Sequence, residues 1–501
     1  MLAWTIYISF IGVLVLMLLP RDNARAARIV ALFTAVLGCA AAVVGAVQLP
    51  LPASGEAVTL VQARWIPALG AQYYLAADGI SLVLVILTGL AAIGGILFSW
   101  NITKRTKEFF AFYLALIGGV YGVFLSFDLL LLFMFYELTI IPKYFLIARW
   151  GSTRKEYGAM KLALYSFVGS HLVLIGLVAA WVVARQQTGH ATLNLITLAQ
   201  VHFPAGFQHW AFPLVFVGFA ILAGMWPFHT WAPTGHVAAP TAGSMLLAGV
   251  VMKLGAYGCL RVAMVLFPEG VREWQWAIAA LAVTGIVYGA GVALVQRDFK
   301  FVIGYSSVSH MGFVLLGLAT LNTIGLDGAV LQMFSHGIIA GLLFAVVGRM
   351  VYDRTHTRDF NELEKMNLGK LLPFAGITFV IAGVASMGLP GFSGFVAEFQ
   401  VLSGAWQVFP KLTLLAGLGL VLGVAYTLRA VQKAFYSDAP PVEPGHEEHP
   451  LEPITLPERI GAVMLIAASL AVGLFPNLLM HWIEPCFRSP LFARLLNGGV
   501  Q

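Results

Sequence analysis

The sequence predicts an all-α polytopic membrane protein, and two of its features support this class. Hydrophobic residues make up 59% of its 501 positions and charged residues only 10%, whereas soluble domains average roughly 25% charged residues. A water-soluble fold cannot hide that much apolar surface, because folded surfaces need polar cover. The apolar runs are also long and continuous, which favours helices over the alternating strands of a membrane barrel.

Apolar runs long enough to cross a bilayer occur about fourteen times, since one span needs about 20 apolar residues. The first run lacks a basic leader and a small-residue cleavage site, so we expect a retained helix and no signal peptide. The predicted spans, numbered 1 to 14, are 2–19, 27–49, 74–99, 109–126, 128–147, 160–184, 210–229, 241–266, 274–295, 301–319, 328–351, 374–400, 409–434 and 457–480.

The basic residues between the spans predict the orientation of the chain. They concentrate in odd-numbered loops, which face the cytoplasm by the positive-inside rule. Both termini are therefore expected on the opposite side. This distribution accounts for the net charge of +6 without a nucleic-acid partner. The positions are Arg21, Arg25 and Arg28 after span 1, Lys104, Arg105 and Lys107 after span 3, Arg149, Arg154 and Lys155 after span 5, Arg297 and Lys300 after span 9, and Arg354, Arg358 and Lys365 after span 11.

Two spans are expected to be interrupted, because proline removes a backbone donor and clashes with the preceding turn. Span 7 runs into Pro227, and span 12 contains Pro390 between Gly388 and Gly391. Inside a membrane such breaks need cover from protein or from a wet cavity, and matched breaks in two halves are typical of inverted repeats. The alternative is that both prolines only kink packed helices.

The one long polar segment covers about residues 436–456 and contains a His-Glu-Glu-His sequence at 446–449. Its spacing does not match a zinc protease, and prolines surround it, so we expect a solvated acidic loop. The three cysteines lie far apart without metal-ligand spacing, so neither a disulfide framework nor a cluster site is implied. These cysteines are Cys39, Cys259 and Cys486.

Glu137 lies inside span 5 and is the first candidate for a functional residue. A carboxylate there costs roughly 3 kcal/mol on insertion scales, so it must face other protein groups, and such residues mark ion or proton pathways. The alternative is a structural ion pair, although buried pairs are seldom good stabilisers. Lys253 lies in the middle of span 8, where desolvation makes a lysine a usable proton acceptor. Snorkelling is the alternative, but both interfaces are far away.

Four further candidates lie within or beside spans. Glu398 follows the break in span 12, where a cavity-lining carboxylate suits an access port for ions, with an interfacial glutamate in water as the alternative. His229, His310 and His336 can relay protons because histidine titrates near neutral pH. A lone buried histidine is, however, more often a hydrogen-bonded core residue.

Two weaker candidates are His171 in span 6 and Lys143 near the end of span 5, and we expect Lys143 to snorkel to the interface. The sequence shows no glycine-rich phosphate loop, cysteine cluster or nucleophile elbow. No redox cofactor or catalytic nucleophile is therefore predicted in this chain, and its energy must come from a gradient or from a partner.

Several short motifs accompany these candidates. They are Tyr136-Glu137-Leu138 with Ile141-Pro142, Pro227-Phe228-His229-Thr230-Trp231, Ala239-Pro240-Thr241-Ala242-Gly243-Ser244, Tyr305-Ser306-Ser307-Val308-Ser309-His310-Met311-Gly312 and Gly388-Leu389-Pro390-Gly391-Phe392-Ser393-Gly394-Phe395. Across essentially the whole chain, they resemble the antiporter-like, proton-translocating subunit family of respiratory complex I. Glu398 and the sequence Phe334-Ser335-His336-Gly337 favour its subunit-M branch, which includes mitochondrial subunit 4; subunit L usually has lysine at the span-12 position.

The resemblance implies about 14 transmembrane helices in two inverted five-helix repeats, with discontinuous helices 7 and 12. The chain would then divide into an N-terminal three-helix part, the first repeat (helices 4–8), the second repeat (helices 9–13), and a cytoplasmic loop with helix 14. These parts are 1–105, 106–270, 271–436 and 437–501. By the same resemblance, the family's ionisable groups fall on Glu137, Lys253 and Glu398, and its familiar histidines on His229, His310 and His336.

The resemblance also implies a function, partners and a location. Protons would pass through buried ionisable residues and water, driven by quinone reduction elsewhere in a NADH:quinone oxidoreductase. That complex uses FMN, iron–sulfur clusters and quinone, none of them in this chain. The partners would be other membrane-arm subunits, especially the antiporter-like subunits L and N, and lipids of a bacterial inner membrane. Alternatives are a subunit of a multisubunit sodium/proton antiporter or of a membrane-bound hydrogenase, and a structural scaffold.

One position departs from the family pattern. The lysine expected in span 7 is Leu222 here, and two acidic positions nearby are Thr234 and Ala238. Glu137 therefore lacks the opposite charge that would hold it ionised.

Three explanations stay open at this point. Another base, His171 or Lys143, replaces the missing lysine, or water alone links Glu137 to Lys253, or the chain is a pumping-impaired spacer copy.

Overall fold

A computed structural model describes residues 1–437 and 451–496 of the chain, so the His-Glu-Glu-His sequence at 446–449 and most of the loop expected at about 436–456 lie outside the described residues. Twelve of the described helices are long and apolar enough to cross a membrane. Two shorter apolar helices, Trp4–Leu18 and Pro373–Ser386, accompany them. The predicted class, a polytopic helical membrane protein, is thus confirmed.

The described helices are numbered in chain order. They are α1 (Trp4–Leu18), α2 (Ala24–Gln48), α3 (Gly79–Leu97), α4 (Thr106–Leu125), α5 (Leu129–Leu138), α6 (Ile140–Trp150), α7 (Lys155–Thr188), α8 (Leu195–Gln200), α9 (Ala205–Ala223), α10 (Trp231–Ala238), α11 (Thr241–Leu246), α12 (Met252–Gly258), α13 (Pro268–Val295), α14 (Phe299–Ala319), α15 (Thr323–Ala345), α16 (Asp353–Thr355), α17 (Phe360–Leu363), α18 (Leu368–Leu371), α19 (Pro373–Ser386), α20 (Ser393–Val408), α21 (Pro410–Phe435), α22 (Leu456–Leu474), α23 (Asn477–Cys486) and α24 (Pro490–Leu496). Short 3₁₀ turns cover Pro67–Leu69 and Phe228–Thr230, and π-helical turns cover Leu247–Val251, Cys259–Met264 and Val346–Tyr352.

The prediction of an all-α chain is wrong for the segment between spans 2 and 3. Strands β1 (Val58–Ile66) and β2 (Ala71–Ala77) pair antiparallel there. Predicted span 3 included the end of β2, because its apolar residues run on into α3. The boundary is Asp78, whose side chain accepts a hydrogen bond from the Ser81 N–H at 3.0 Å and caps the helix.

Both predicted interruptions are present. Span 7 stops at the end of α9, where Gly224 has a φ of +82°, and helix resumes in α10. Span 12 is broken between α19 and α20, where Gly388 and Gly391 have φ values of +74° and +103°. Glycine tolerates these left-handed conformations because it has no Cβ.

The sequence did not predict two other irregularities. Span 5 is divided at Thr139, whose hydroxyl donates to the Tyr136 carbonyl at 2.7 Å. Spans 8 and 11 contain the π-helical turns, which interrupt the regular hydrogen-bond ladder and occur frequently at functional sites.

The spans form a buried centre and an exposed periphery. The most apolar 18-residue stretches of span 8 (Thr241–Met264) and of span 11 (Thr323–Thr355) are fully buried by other helices, whereas only 28% of the corresponding stretch of span 13 (Pro410–Phe435) is buried. An ionisable residue on span 8 or 11 therefore faces protein on every side, while residues on the peripheral helices can face lipid or a neighbouring chain.

Candidate functional site

Lys253 and His336 meet in the buried centre. Lys253 lies on α12, directly after the first π-helical turn, and its side chain is fully buried. Its Nζ donates to the Ala248 carbonyl inside that turn and lies 2.8 Å from Nδ1 of His336 on α15. Lys253 is thus held by a second span and does not snorkel.

Two glycines permit this contact. A Cβ on Gly337 would come within 2.6 Å of the Gly249 carbonyl oxygen, and a Cβ on Gly249 would come within 3.1 Å of the Gly337 carbonyl oxygen. Small residues let membrane helices approach closely. Each glycine lies within four residues of its ionisable neighbour, so the backbone approach sets the distance between Lys253 and His336.

Glu398 and His310 form a second buried pair. Nδ1 of His310 lies 3.0 Å from Oε1 of Glu398, and its Nε2 lies 3.1 Å from the Ser386 hydroxyl. The Glu398 carboxylate also accepts a hydrogen bond from Nε2 of Gln332 at 3.2 Å. Glu398 is 4% exposed, so the alternative of an interfacial glutamate in water does not hold for this structure.

The two pairs adjoin. The rings of His310 and His336 stack with centroids 5.4 Å apart and an angle of 27° between their planes. A cavity of about 10 Å³ touches both histidines and Glu398, which is room for about one water molecule. Four candidates therefore form one line through the centre: Lys253, His336, His310 and Glu398.

The break in span 12 borders this line. A Cβ on Gly388 would lie 2.9 Å from Oε2 of Glu398, so the irregular loop passes directly beside the carboxylate. Non-helical backbone at membrane depth is tolerated where protein covers it. The break therefore brings Glu398 and Ser386 to the same cavity.

The amino-terminal half contains a second, separate pair of ionisable residues. Glu137 is half-buried on α5, and its Oε1 has no hydrogen-bond partner within the described residues. Lys143 on α6 is only 1% exposed, and its Nζ likewise has no partner there. The expectation that Lys143 snorkels is wrong, because its ammonium ends inside the protein.

The two remaining histidine candidates do not join either group. His171 is exposed on α7, and its Nδ1 lies 2.7 Å from the Phe167 carbonyl of its own helix. His229 is buried beside Tyr288, with ring centroids 5.2 Å apart. Neither ring nitrogen of His229 has a partner in the described part of the chain.

Leu222 is buried at the end of α9. A Cβ on Gly255, two residues after Lys253, would lie 2.4 Å from the Ala223 nitrogen and 2.9 Å from the Leu222 carbonyl carbon. Span 7 thus touches span 8 two residues away from Lys253. It presents a leucine there and no positive charge.

Sequence reasoning did not identify three further buried polar residues as functional candidates, and it places one of them, Lys300, in the loop after span 9. Gln332 binds Glu398, and Lys300 donates to the Ala239 carbonyl at 3.1 Å. His236 is fully buried, with no ring partner among the described atoms. The signal for Gln332 was its place one turn before His336 in an apolar run. His236 lies between two prolines just after the break in span 7.

Comparison with known proteins identifies the family of the chain. A family model described as NADH:quinone oxidoreductase/Mrp antiporter, TM, matches residues 126–423. NADH-quinone oxidoreductase subunit M of Rhodobacter capsulatus is 37% identical over 434 residues, covering 84% of this chain and 82% of that protein.

Solved structures show the same fold. One chain of respiratory complex I from Thermus thermophilus with bound NADH superposes with a TM-score of 0.88 at 27% identity, over 99% of this chain and 100% of that one. A chain of the Mrp complex from Dietzia sp. DQ12-45-1b has a TM-score of 0.82 at 21% identity, over 99% and 98% of the two chains. The family match covers more than half of the sequence, and the chain therefore belongs to the NADH:quinone oxidoreductase/Mrp antiporter transmembrane family.

Proposed function

We propose that this chain is a membrane-arm subunit of a proton-pumping NADH:quinone oxidoreductase and moves protons through its buried ionisable residues. The observation that carries the proposal is the line from Lys253 through His336 and His310 to Glu398. Its direct contacts measure 2.8 and 3.0 Å. Isolated charges at this depth are costly, and buried polar groups gain from connection into networks.

The geometry supports a stepwise transfer. Nζ of Lys253 gives a proton to Nδ1 of His336, which leaves a neutral amine and an imidazolium. The opposite ring nitrogen of His336 then releases a proton through one water of the cavity to His310. The Glu398 carboxylate attracts the positive charge and receives the proton. Each step moves one proton between groups within hydrogen-bond reach, directly or through one water.

Reduction of quinone would drive this transfer from another part of the complex, by electrostatic or conformational coupling. FMN, iron–sulfur clusters and quinone would be held by other subunits. Among the described residues, no group of three or more His, Cys, Asp or Glu side chains is arranged to hold a metal ion. The donor set of this part of the chain does not fit an iron–sulfur cluster, and we derive no redox step through it.

The finer architecture belongs to the same proposal. The breaks in spans 7 and 12 support 14 spans in two inverted five-helix repeats, 106–270 and 271–436, after three helices in 1–105 and before a loop and helix 14 in 437–501. The basic odd-numbered loops support both termini on the outer side of a bacterial inner membrane. Exposed faces of the peripheral helices suit the antiporter-like subunits L and N, and lipid.

The test uses the whole complex in sealed proteoliposomes. NADH is added, and proton uptake is measured together with quinone reduction. We expect Lys253→Met and Glu398→Gln to lower the pumping rate by roughly 10²-fold or more, since a positioned proton-transfer group contributes roughly 10²- to 10⁴-fold. The matched controls are Lys411→Met and Glu156→Gln, both exposed. Variants that assemble and pump like their controls would contradict the proposal.

The same proteoliposomes also test a second function, that of a sodium/proton antiporter subunit, because the chain shares its fold with a chain of the Mrp complex. A sodium/proton antiporter subunit would exchange sodium for protons without NADH. If an imposed sodium gradient drives proton movement that Lys253→Met abolishes, and no NADH-oxidising activity copurifies with the tagged chain, the antiporter assignment replaces the first. Copurification of NADH:quinone oxidoreductase activity supports the first.

A further inference from the structure

Lys143 is a buried ammonium group that the line through the centre does not use. It lies in the cytoplasmic half of span 5 in the proposed orientation, its side chain is 1% exposed, and its Nζ makes no hydrogen bond within the described residues. A buried cation without compensation costs several kcal/mol. Lys143 therefore does not stabilise the fold at this position. Its presence points to a functional role for the charge or the proton of its ammonium group.

The opposite charge for Lys143 is Glu137 of the same span. The two residues lie six positions apart, on α5 and α6 on either side of the break at Thr139, and no hydrogen bond joins their side chains directly. Oε1 of Glu137 is itself buried without a hydrogen-bond partner in the described chain. Span 5 therefore carries two ionisable groups of opposite charge, each with a buried polar atom that lacks a hydrogen-bond partner in the described chain. Neither group makes a hydrogen bond to the line through Lys253, His336, His310 and Glu398.

Other bases near span 5 are placed differently. His171 is exposed and bonded to its own helix, and Leu222 has no charge. Lys161 on α7 donates to the Thr234 hydroxyl at 3.3 Å. Lys143 alone among these residues combines full burial, a side chain without a hydrogen-bond partner in the described structure and a place on the same span as Glu137.

We propose that Lys143 and Glu137 form the proton-exchanging pair of the amino-terminal half of this chain. The inference rests on the proposed function. In the exchange, the N–H bond of the Lys143 ammonium breaks, water carries the proton because no hydrogen bond joins the two side chains directly, and an O–H bond forms on the Glu137 carboxylate. A neutral amine and a carboxylic acid remain. The amine takes a new proton from the cytoplasmic side, and the acid releases its proton onward. The pair returns to its starting charges.

The contact between spans 5 and 7 provides a rescue design. The rings of Tyr136 and Phe219 pack with centroids 5.6 Å apart. Leu222 lies about one helical turn beyond Phe219 on α9, and Phe219 packs against Tyr136, the residue before Glu137. Leu222→Lys therefore offers Glu137 an ammonium from the facing helix when Lys143 has been removed.

The experiment measures NADH-driven proton uptake by the reconstituted complex. Lys143→Met should lower the pumping rate by about tenfold or more, while the exposed-lysine control Lys104→Met pumps like the wild type. Adding Leu222→Lys to Lys143→Met should recover pumping. The inference is overturned if Lys143→Met pumps like Lys104→Met, or if the double variant assembles and recovers nothing.

A further variant separates proton exchange from structural pairing and covers the case in which Lys143→Met fails to assemble. Lys143→Met with Glu137→Gln leaves no uncompensated charge, so it should assemble and still pump about tenfold less. Wild-type pumping by this neutral pair would show a purely structural role. If Lys253→Met lowers pumping and the Lys143 variants do not, only this inference fails. If neither does, the proposed function fails with it.

Discussion

Gly337→Ala is the sharpest test of the contact between Lys253 and His336. The added Cβ would lie 2.6 Å from the Gly249 carbonyl oxygen, whereas ordinary contact begins at 3.4 Å. Because that oxygen belongs to a helix backbone, span 8 and span 11 must separate by about 0.8 Å. The Lys253–His336 distance of 2.8 Å would then open to about 3.6 Å, beyond hydrogen-bond range.

The assay is again proton uptake by the reconstituted complex, with quinone reduction measured in parallel. A displacement near 1 Å at a reacting group can cost roughly 10²-fold in rate, and we expect that order of loss for Gly337→Ala. Gly249→Ala needs a shift of only about 0.3 Å, since its Cβ would lie 3.1 Å from the Gly337 oxygen. Gly249→Ala should therefore lower the pumping rate only a few-fold.

Gly341→Ala is the matched control, because it lies four residues further along α15 and its Cβ would meet nothing within 4 Å. Both alanines gain the same helix propensity, about 1 kcal/mol, so a difference between them reports what the Cβ at 337 meets, which is the Gly249 carbonyl oxygen and the flexible side chain of Leu87. Equal pumping by Gly337→Ala and Gly341→Ala in assembled complexes would refute the reasoning that this backbone approach controls proton transfer.

Three further outcomes follow from the same structure. Gly388→Ala should reduce pumping more than Gly391→Ala, because both add left-handed strain of about 1–2 kcal/mol but only the first places a Cβ 2.9 Å from the Glu398 carboxylate; equal losses would count against it. Gln332→Leu should slow pumping by about tenfold, since it removes a hydrogen bond to a charged group that contributes roughly 1.5–3 kcal/mol; unchanged pumping would show that this bond is dispensable. Asp78→Asn should lower the free energy of unfolding by about 3–5 kcal/mol, because Arg261 is fully buried against it at 2.6 Å. The exposed-pair control Glu364→Gln, which loses a contact to Lys433, should cost at most about 1 kcal/mol; chemical denaturation in detergent compares the two.

Local features of the chain predicted much of the fold. Hydropathy located most span boundaries to within about six residues, because the bilayer requires a continuous apolar stretch of fixed length. The largest differences lie at the interrupted spans, where α10 ends at Ala238 and α20 at Val408, beyond the predicted ends at 229 and 400. Proline and glycine located the breaks in spans 7 and 12, because their backbone constraints act within one turn. The hairpin before α3 escaped prediction, since a short apolar strand continuing into a helix has no distinguishing hydropathy.

The candidate site divides in the same way. Burial cost identified Glu137, Lys253 and Glu398 from the sequence, because a charge inside an apolar run needs a reason wherever the helices pack. The sequence did not predict which residues these three contact. His336 lies 83 residues from Lys253 and Glu398 lies 88 residues from His310, and no local pattern joins such positions.

The sequence by itself determined the membrane class, the spans, two helix breaks and the ionisable residues at membrane depth, because each depends on residues within one or two helical turns. Only the tertiary structure decided which of these residues meet. Helix rotation and the close approach of Gly249 and Gly337 bring Lys253 to His336, and the packing around α6 buries Lys143 instead of letting it reach the interface. Such contacts depend on how distant helices pack, which the order of residues along one helix does not specify.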